Sequence, residues 1–142
     1  MENRPPRRDP RILVIRASQT GLAYGALDAW DVAGMGELGP PTALKIARLL
    51  LRIKPSGVLW LGAAPASAKS ALKVTGVSVI ELKSTEVAKL RRLAPTPAAL
   101  TAEYPALGPV DAGPLMELLQ VAAAALILMK IQRQYARRGQ NR

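Results

Sequence analysis

Residues 11–28 read RILVIRASQTGLAYGALD. Ile12–Ile15 is a short β-branched and aliphatic run, a polar cluster follows from Ser18 to Gly21, and a second apolar stretch extends over Leu22–Asp28. A buried strand, a tight turn and a second strand produce this order of residues. The stretch therefore predicts two successive strands, and we expect the folded domain to begin near Arg11.

The chain from residue 32 to residue 93 carries further strand and helix patterns. Short apolar runs bounded by turn residues indicate buried strands, whereas apolar residues at spacings of three and four indicate helices. Gly34 and Gly36 lower the strand propensity of the first of these segments, Val32–Leu38. The predicted elements are a strand over Val32–Leu38, a helix between Pro41 and Pro55, a strand over Val58–Gly62, a helix over Ser67–Thr75, a strand over Val77–Leu82, and a helix capped by Ser84 or Thr85 that extends to Leu93 and is stopped by Pro95 and Pro97.

The last predicted element is a long helix from Pro114 to about Arg138, with Asp111 as its N-cap. From Leu118 to Met129 it is apolar on every side, apart from Gln120. Such a helix must be covered by the sheet, a partner subunit or lipid. A membrane span needs about 20 consecutive apolar residues, and this run is shorter. We therefore predict a buried or dimer-forming helix, with residues 115–131 as the surface for a partner, and no membrane insertion.

The order of elements predicts an α/β fold with a mixed five-stranded sheet. Three consecutive strands favour an antiparallel meander, and the β-α-β-α-β order that follows favours parallel crossovers. Helices flank the sheet, and the long C-terminal helix completes the fold. We expect a disordered basic arm at residues 1–10, a single domain at residues 11–138 and a short tail at residues 139–142.

The composition excludes several kinds of chemistry. The 142 residues include no cysteine and no histidine, which removes disulfides, thiolate nucleophiles, the usual zinc ligands and imidazole bases. Any catalysis would rest on the ten acidic residues, and a net charge of +10 favours polyanions such as nucleic acid or anionic lipid. The first eight residues lack the apolar stretch of a secretory signal, so we expect a cytoplasmic protein.

Residues 11–28 resemble the opening of the RuvC-type Holliday-junction resolvases, in which an aliphatic strand carrying an Asp is followed by a turn, a Gly and a second strand. Val58–Leu61 with Ser67–Lys73 resembles the fourth strand and second helix of that family. Val77–Ala88 resembles its fifth strand and the start of the next helix. The resemblance implies a ribonuclease-H-like fold over most of the chain from Arg11 onward.

At the catalytic positions, however, this sequence differs from the family that it resembles. The family holds two Mg²⁺ ions with carboxylates on the first strand, at the end of the fourth strand and on the last helix. The first two positions correspond here to Arg16 and Leu61, and the apolar pattern aligns Val121–Ala125 with the third. Asp111 or Glu117 would restore a carboxylate only if the helix register shifts by one to three turns. The resemblance thus implies a degenerate member, with no catalytic residue, no metal and no cofactor.

Basic residues supply the candidate nucleic-acid contacts. If Arg16 is buried it needs an acidic partner such as Asp28, Glu81 or Asp111, and otherwise it faces a cleft where a phosphate could pair with it. Open α/β sheets bind ligands beyond the carboxyl ends of their parallel strands, where we expect the central lysines and arginines to gather. Scattered cations kept for solubility, or a solvated helix end, are the alternatives. The candidates are Arg16, Lys69, Lys73, Lys83, Lys89, Arg91, Arg92, Lys130, Arg133, Arg137 and Arg138.

Lys45, Arg48 and Arg52 form a further basic set on one side of the first predicted helix. Their spacing places them opposite the apolar stripe of that helix. We interpret them as a solvated face, with a ridge that contacts phosphates as the alternative.

Three functions follow from these observations. The first is a catalytically inactive, RuvC-like pseudo-nuclease that holds branched or duplex DNA, or RNA, through phosphate contacts. The second is a structural subunit of a larger assembly that docks through its apolar C-terminal helix, as a homodimer or with another protein. The third is a metal-dependent junction endonuclease in which Asp28, Glu81, Asp111 or Glu117 converge on a metal.

Overall fold

The computed structural model of the chain describes residues 10–18, 21–29, 31–40, 42–107 and 114–140. Within these ranges the elements alternate as the sequence patterns predict, with one additional helix. They are β1 (Ile12–Ser18), β2 (Gly21–Leu27), β3 (Val32–Leu38), α1 (Ala43–Ile53), β4 (Gly57–Leu61), α2 (Ala66–Thr75), β5 (Val79–Leu82), α3 (Ser84–Leu93), α4 (Pro97–Glu103), a 3₁₀ turn (Pro105–Leu107) and α5 (Pro114–Gln140).

The five strands form one mixed sheet in the order β3-β2-β1-β4-β5. The β1–β2 and β2–β3 pairs are antiparallel, whereas β1–β4 and β4–β5 are parallel. Helices α1 and α2 make the crossovers that parallel neighbours require. The sheet is therefore the meander followed by crossovers that the sequence predicts. Because β1, β3, β4 and β5 all point in one direction, their carboxyl ends share one edge, which we call the carboxyl edge.

The alternation of side chains along the strands builds a core on each face of the sheet. Leu13 and Ile15 of β1 pack under α1 and α2, together with Trp60 of β4. Ile12 and Val14 lie on the opposite face, which α3, α4 and α5 cover. We call these two sides the α1 face and the α5 face. Trp60 is 1% exposed, so it belongs to the core, as its place within an apolar strand predicts.

Helix α5 is buried along its first half. Residues 118–124 of this helix are buried except for Gln120, and Gly25 of β2 makes their close approach possible, because a Cβ there would lie 3.1 Å from Leu119 Cδ2. Ile127 and Ile131, in the second half, are each 40% exposed. The segment Leu115–Gln132 is long and apolar enough to cross a membrane, but 44% of it is buried inside the protein, and core helices of soluble proteins pass the same test. The sheet thus buries much of the apolar surface of α5 that the sequence predicted would need to be covered.

Several local predictions need correction. Pro97 begins the additional helix α4, with Thr96 as its side-chain cap, although the sequence suggested only a helix break there. The N-cap of α3 is Lys83, whose backbone N–H donates to Glu86 Oε1 at 3.1 Å, and not Ser84 or Thr85. Strand β5 is two residues shorter at its start than predicted, and α5 continues to Gln140, into the predicted tail. The predicted N-cap Asp111 lies outside the described residues, as does the predicted arm before Pro10.

Candidate nucleic-acid interface

An ion-pair cluster lies at the carboxyl edge, on the α5 face. Arg16 Nη1 donates to Glu117 Oε2 at 3.0 Å. Arg91 Nη1 lies 3.0 Å from the other oxygen of the same carboxylate, Oε1. One carboxylate is thus held between two guanidinium groups from separate elements. We call these three residues the arginine–glutamate cluster.

Each member of this cluster is positioned by ordinary secondary-structure rules. Arg16 follows Ile12 and Val14 on the same side of β1, so its side chain emerges on the α5 face. Glu117 lies in the first turn of α5, where the helix dipole favours an acidic side chain. Helix α3 packs against α5, and this contact brings Arg91 of its last turn to Glu117.

The arginine–glutamate cluster is open to solvent and carries a net charge of +1. The side chains of Arg16 and Glu117 are 32% and 34% exposed, and that of Arg91 is 53% exposed. Ion pairs with this exposure contribute about 0–1 kcal/mol, so they can exchange partners at small cost. A guanidinium has five N–H donors in a fork that fits phosphate oxygens. A phosphate group approaching the carboxyl edge would therefore compete with Glu117 for both arginines.

The acidic partner of Arg16 differs from the three that the sequence suggested. Asp28 lies at the other end of β1, where it pairs with Arg11 at 3.1 Å. Glu81 emerges on the α1 face, where Lys69 Nζ is 3.6 Å from its Oε1. Asp111 lies outside the described residues. The partner is Glu117, which the sequence suggested only as a displaced metal ligand.

The structure places an acidic residue of the last helix beside Arg16. Glu117 lies opposite Arg16, whereas Val121–Ala124, about one turn further along, are buried beneath the sheet. The apolar pattern did not predict this contact, because a helix that is apolar on every side has no clear face to align. The sequence feature that could have indicated this contact is the acidic residue in the first turn of α5. On the neighbouring strand, Leu61 pairs with Arg16 in the sheet register and packs against the core of the α5 face.

The other predicted basic residues do not form one patch. Lys83, Lys89 and Arg92 are exposed, on α3 or just before it, with Arg91. Lys69 lies on the α1 face, and Lys73 lies in the last turn of α2, which leads to the opposite end of β5. Lys130 is 13 residues beyond Glu117, about 20 Å along the helix axis. Arg133, Arg137 and Arg138 belong to α5, but their side chains lie outside the described residues.

A metal pair does not fit the described residues at the carboxyl edge. Mg²⁺ requires oxygen ligands, and in the cluster it would meet one carboxylate that two guanidinium groups already neutralise. Within residues 10–107 and 114–140, apart from the undescribed gaps, no three acidic side chains converge on a point that could hold a metal. The arrangement suits the binding of an anion better than the binding of a cation.

Comparison with solved structures identifies the fold. The RuvC structure of Thermus thermophilus in complex with Holliday junction substrate matches with a TM-score of 0.58 and 12% identity, over 82% of this chain and 91% of that chain. A second Thermus thermophilus RuvC structure matches with the same TM-score and identity, over 91% of this chain and 96% of that chain. No family model and no curated protein matches the sequence. The chain therefore has the ribonuclease-H-like fold of RuvC, as the resemblance implied, and this likeness shows the fold alone.

Proposed function

We propose that this protein is a catalytically inactive, RuvC-like module that binds nucleic acid, with branched or duplex DNA favoured over RNA. The observation that carries the proposal is the arginine–glutamate cluster at the carboxyl edge. It puts Arg16 where the resemblance requires a metal-binding carboxylate, with Arg91 on the other oxygen of the same glutamate. We propose a cytoplasmic location together with this function.

The argument for inactivity rests on charge. A two-metal mechanism needs several carboxylates to hold the ions that activate water and stabilise the leaving oxygen. Here the first-strand position is Arg16, the fourth-strand position is Leu61, and Glu117 is shared by two guanidinium groups. A cation at the metal position would repel divalent ions. These residues favour loss of cleavage over its relocation.

The argument for binding rests on the same cations. Guanidinium groups bind phosphate oxygens in a bidentate manner, and a net charge of +10 steers the protein towards polyanions. Contacts to phosphates carry no sequence information, so sequence preference should be weak. The central contact set in this proposal is Arg16, Lys83, Lys89, Arg91 and Arg92, with Lys69, Lys73, Lys130, Arg133, Arg137 and Arg138 as outlying contacts.

The test is a salt-dependent binding titration on junction, duplex and single-stranded DNA and on RNA, followed by fluorescence anisotropy. Arg91→Gln should weaken binding and reduce the magnitude of the negative slope of log K against log salt by about 0.9 for duplex DNA. Lys54→Gln is the matched control, because it removes one exposed charge from the end of α1, away from the carboxyl edge. Absence of binding by the unmodified protein at low salt would overturn the proposal.

Inactivity has its own test. The protein incubated with a junction and Mg²⁺ or Mn²⁺ should leave the DNA intact. Cleavage that Glu117→Gln or Asp111→Asn abolishes would show that the carboxylates are displaced and not lost, and would restore the endonuclease function.

A second candidate function is that of a structural subunit, and the exposed part of α5 favours it. Ile127 and Ile131 lie on this part of the helix, and Ile127 borders a groove of about 520 Å³ with Tyr104, Leu126 and Met129. A second copy of the chain, or another protein, would cover these side chains. Light scattering across a concentration series distinguishes the two functions: a stable dimer that Ile127→Ser disrupts, without nucleic-acid binding, would support this one.

A further inference from the structure

A second groove lies on the α1 face, between the outer strand β3 and helix α1. Its volume is about 360 Å³, and the carboxyl edge forms one of its ends. We call it the β3–α1 groove. Its lining residues are Glu37, Leu38, Gly39, Lys45, Arg48, Leu49 and Arg52.

Three of the four charged residues that line this groove are cationic. Lys45, Arg48 and Arg52 follow at spacings of three and four, so they lie on one side of α1. Glu37 also lines the groove, although its pairing with Ala23 in the sheet register directs its side chain towards the α5 face. In the part of the chain that the structure describes, no ion pair involves the three cations. The groove is therefore lined by three cations and one carboxylate, that of Glu37, which leaves an excess of positive charge.

Arg52 is held in place, unlike a cation on a solvated face. Its Nη2 donates to Tyr24 Oη at 2.8 Å, and its guanidinium carbon lies 6.0 Å from the centre of the Tyr24 ring. Tyr24 is only 7% exposed, so it is a fixed anchor within the core of the α1 face. A guanidinium that is already oriented loses less side-chain entropy when it binds an anion.

The groove is also aligned with the arginine–glutamate cluster. Strands β1 and β3 point in the same direction, so the end of β3 and the end of β1 lie on the carboxyl edge together. Lys45, in the first turn of α1, reaches back to this edge, where its Nζ donates to the Pro40 carbonyl at 3.5 Å. A chain of phosphates that crosses the carboxyl edge would pass from Arg16 over the end of β3 and into the groove.

We propose that the β3–α1 groove binds the phosphate backbone of nucleic acid, as a second contact on the opposite side of the sheet from the cluster. From Lys45 to Arg52 the helix extends about 10 Å, which matches about three nucleotides at about 3.4 Å each. This length favours a polyanion over a single phosphate ion. The inference rests on the proposed function, because it places a further part of the same ligand.

The experiment compares Arg48→Gln with Lys54→Gln. Both variants remove one exposed positive charge from α1 or its C-cap, but only Arg48 lines the groove. Duplex DNA affinity is measured across a salt series, with urea unfolding as the check on stability. We expect Arg48→Gln to weaken binding about three- to tenfold and to reduce the magnitude of the salt slope by about 0.9, whereas Lys54→Gln should leave the slope unchanged. Equal effects of the two variants would overturn the inference, because only net charge would then matter.

The outcomes separate this inference from the function on which it rests. If the unmodified protein binds DNA and Arg48→Gln behaves as the control, the groove is excluded while the function stands. If no nucleic acid binds at low salt, both fail. A free phosphate ion is the other ligand that this groove could take, and it is tested by titrating inorganic phosphate and following the arginine Nε signals in NMR. If phosphate saturates Arg48 and Arg52 while Arg48→Gln leaves DNA binding unchanged, the groove binds a small phosphate and the inference is overturned.

Discussion

Arg16 of β1 and Glu117 of α5 meet at 3.0 Å although 101 positions separate them in the chain. The contact joins the carboxyl edge of the sheet to the start of the last helix. It also puts a cation and an anion together where the resemblance has only carboxylates. The cluster therefore has two measurable properties: a small contribution to stability, and a pair of guanidinium groups that an external anion can compete for.

The contribution to stability follows from the geometry and the exposure of this pair. A double-mutant cycle with Arg16→Gln and Glu117→Gln, read from urea unfolding, should give a coupling energy of about 0.5–1 kcal/mol at low salt. In about 1 M salt the coupling should fall towards zero, because charges that are one-third exposed are screened. A coupling of zero at low salt would mean that the pair does not form in solution.

Glu117→Gln should strengthen nucleic-acid binding. The substitution removes the carboxylate that competes with phosphate for Arg16 and Arg91, and we expect affinity for duplex DNA to rise at least about threefold at low salt. Glu103→Gln is the control, because it removes the same charge from the end of α4, where the residue is exposed. If both variants tighten binding equally, the gain comes from net charge, and the competition at the cluster is refuted.

Much of the fold could be predicted because its strands are short, apolar and bounded by turn residues. Strands β1 to β3 and helix α1 begin and end within about three residues of the expected positions. Helix α4 escaped prediction since Pro95 and Pro97 were interpreted as helix breakers. Pro97 instead occupies the first turn, where a missing N–H costs no hydrogen bond.

The candidate site could be predicted only in part. Arg16 stood out because a cation within an apolar strand needs a partner, but sequence patterns carry no distance across 101 residues. The uniform apolar character of α5 left its register undefined, so Glu117 was not matched to Arg16. The predicted basic residues do not form one patch because the elements that carry them run in different directions. Helix α5, for example, starts at the carboxyl edge, and Lys130 lies further along it, away from that edge.

Gly21 supports a prediction about the start of β2. Its φ is +146°, and a Cβ at this position would overlap the backbone carbonyl oxygens of Leu38 and Gly39. Gly21→Ala should therefore lower the free energy of unfolding by about 3 kcal/mol. Gly76→Ala is the control: Gly76 also has a positive φ, of +70°, but a Cβ there meets nothing within 4 Å. It should cost about 1 kcal/mol, and equal urea midpoints for the two variants would contradict the proposed overlap.

Tyr104 provides a prediction about pH. Burial raises the pKa of its hydroxyl to about 12, and the negative charges of Glu103 and Asp28 add to the effect. The hydroxyl donates to the Asp28 backbone carbonyl at 2.8 Å, which requires the neutral form. In an absorbance titration of tyrosinate, the difference between the unmodified protein and Tyr104→Phe should titrate near pH 12, and a difference that titrates near pH 10 would contradict the burial of this group.

The same shift fixes the sign of a change in stability. Because the pKa is raised from 10.0 in the unfolded chain to about 12 in the folded protein, the contribution of Tyr104 is complete below pH 10 and is lost as the pH rises towards 12. Near neutral pH, Tyr104→Phe should cost about 1 kcal/mol through the lost hydrogen bond. At about pH 11 the unmodified protein has lost a similar amount, about 1.4 kcal/mol, so the two urea midpoints should converge. Other groups titrate in both proteins, so their effects cancel in this comparison. A difference between the two urea midpoints that stays constant with pH would contradict the link between the Tyr104 pKa and stability.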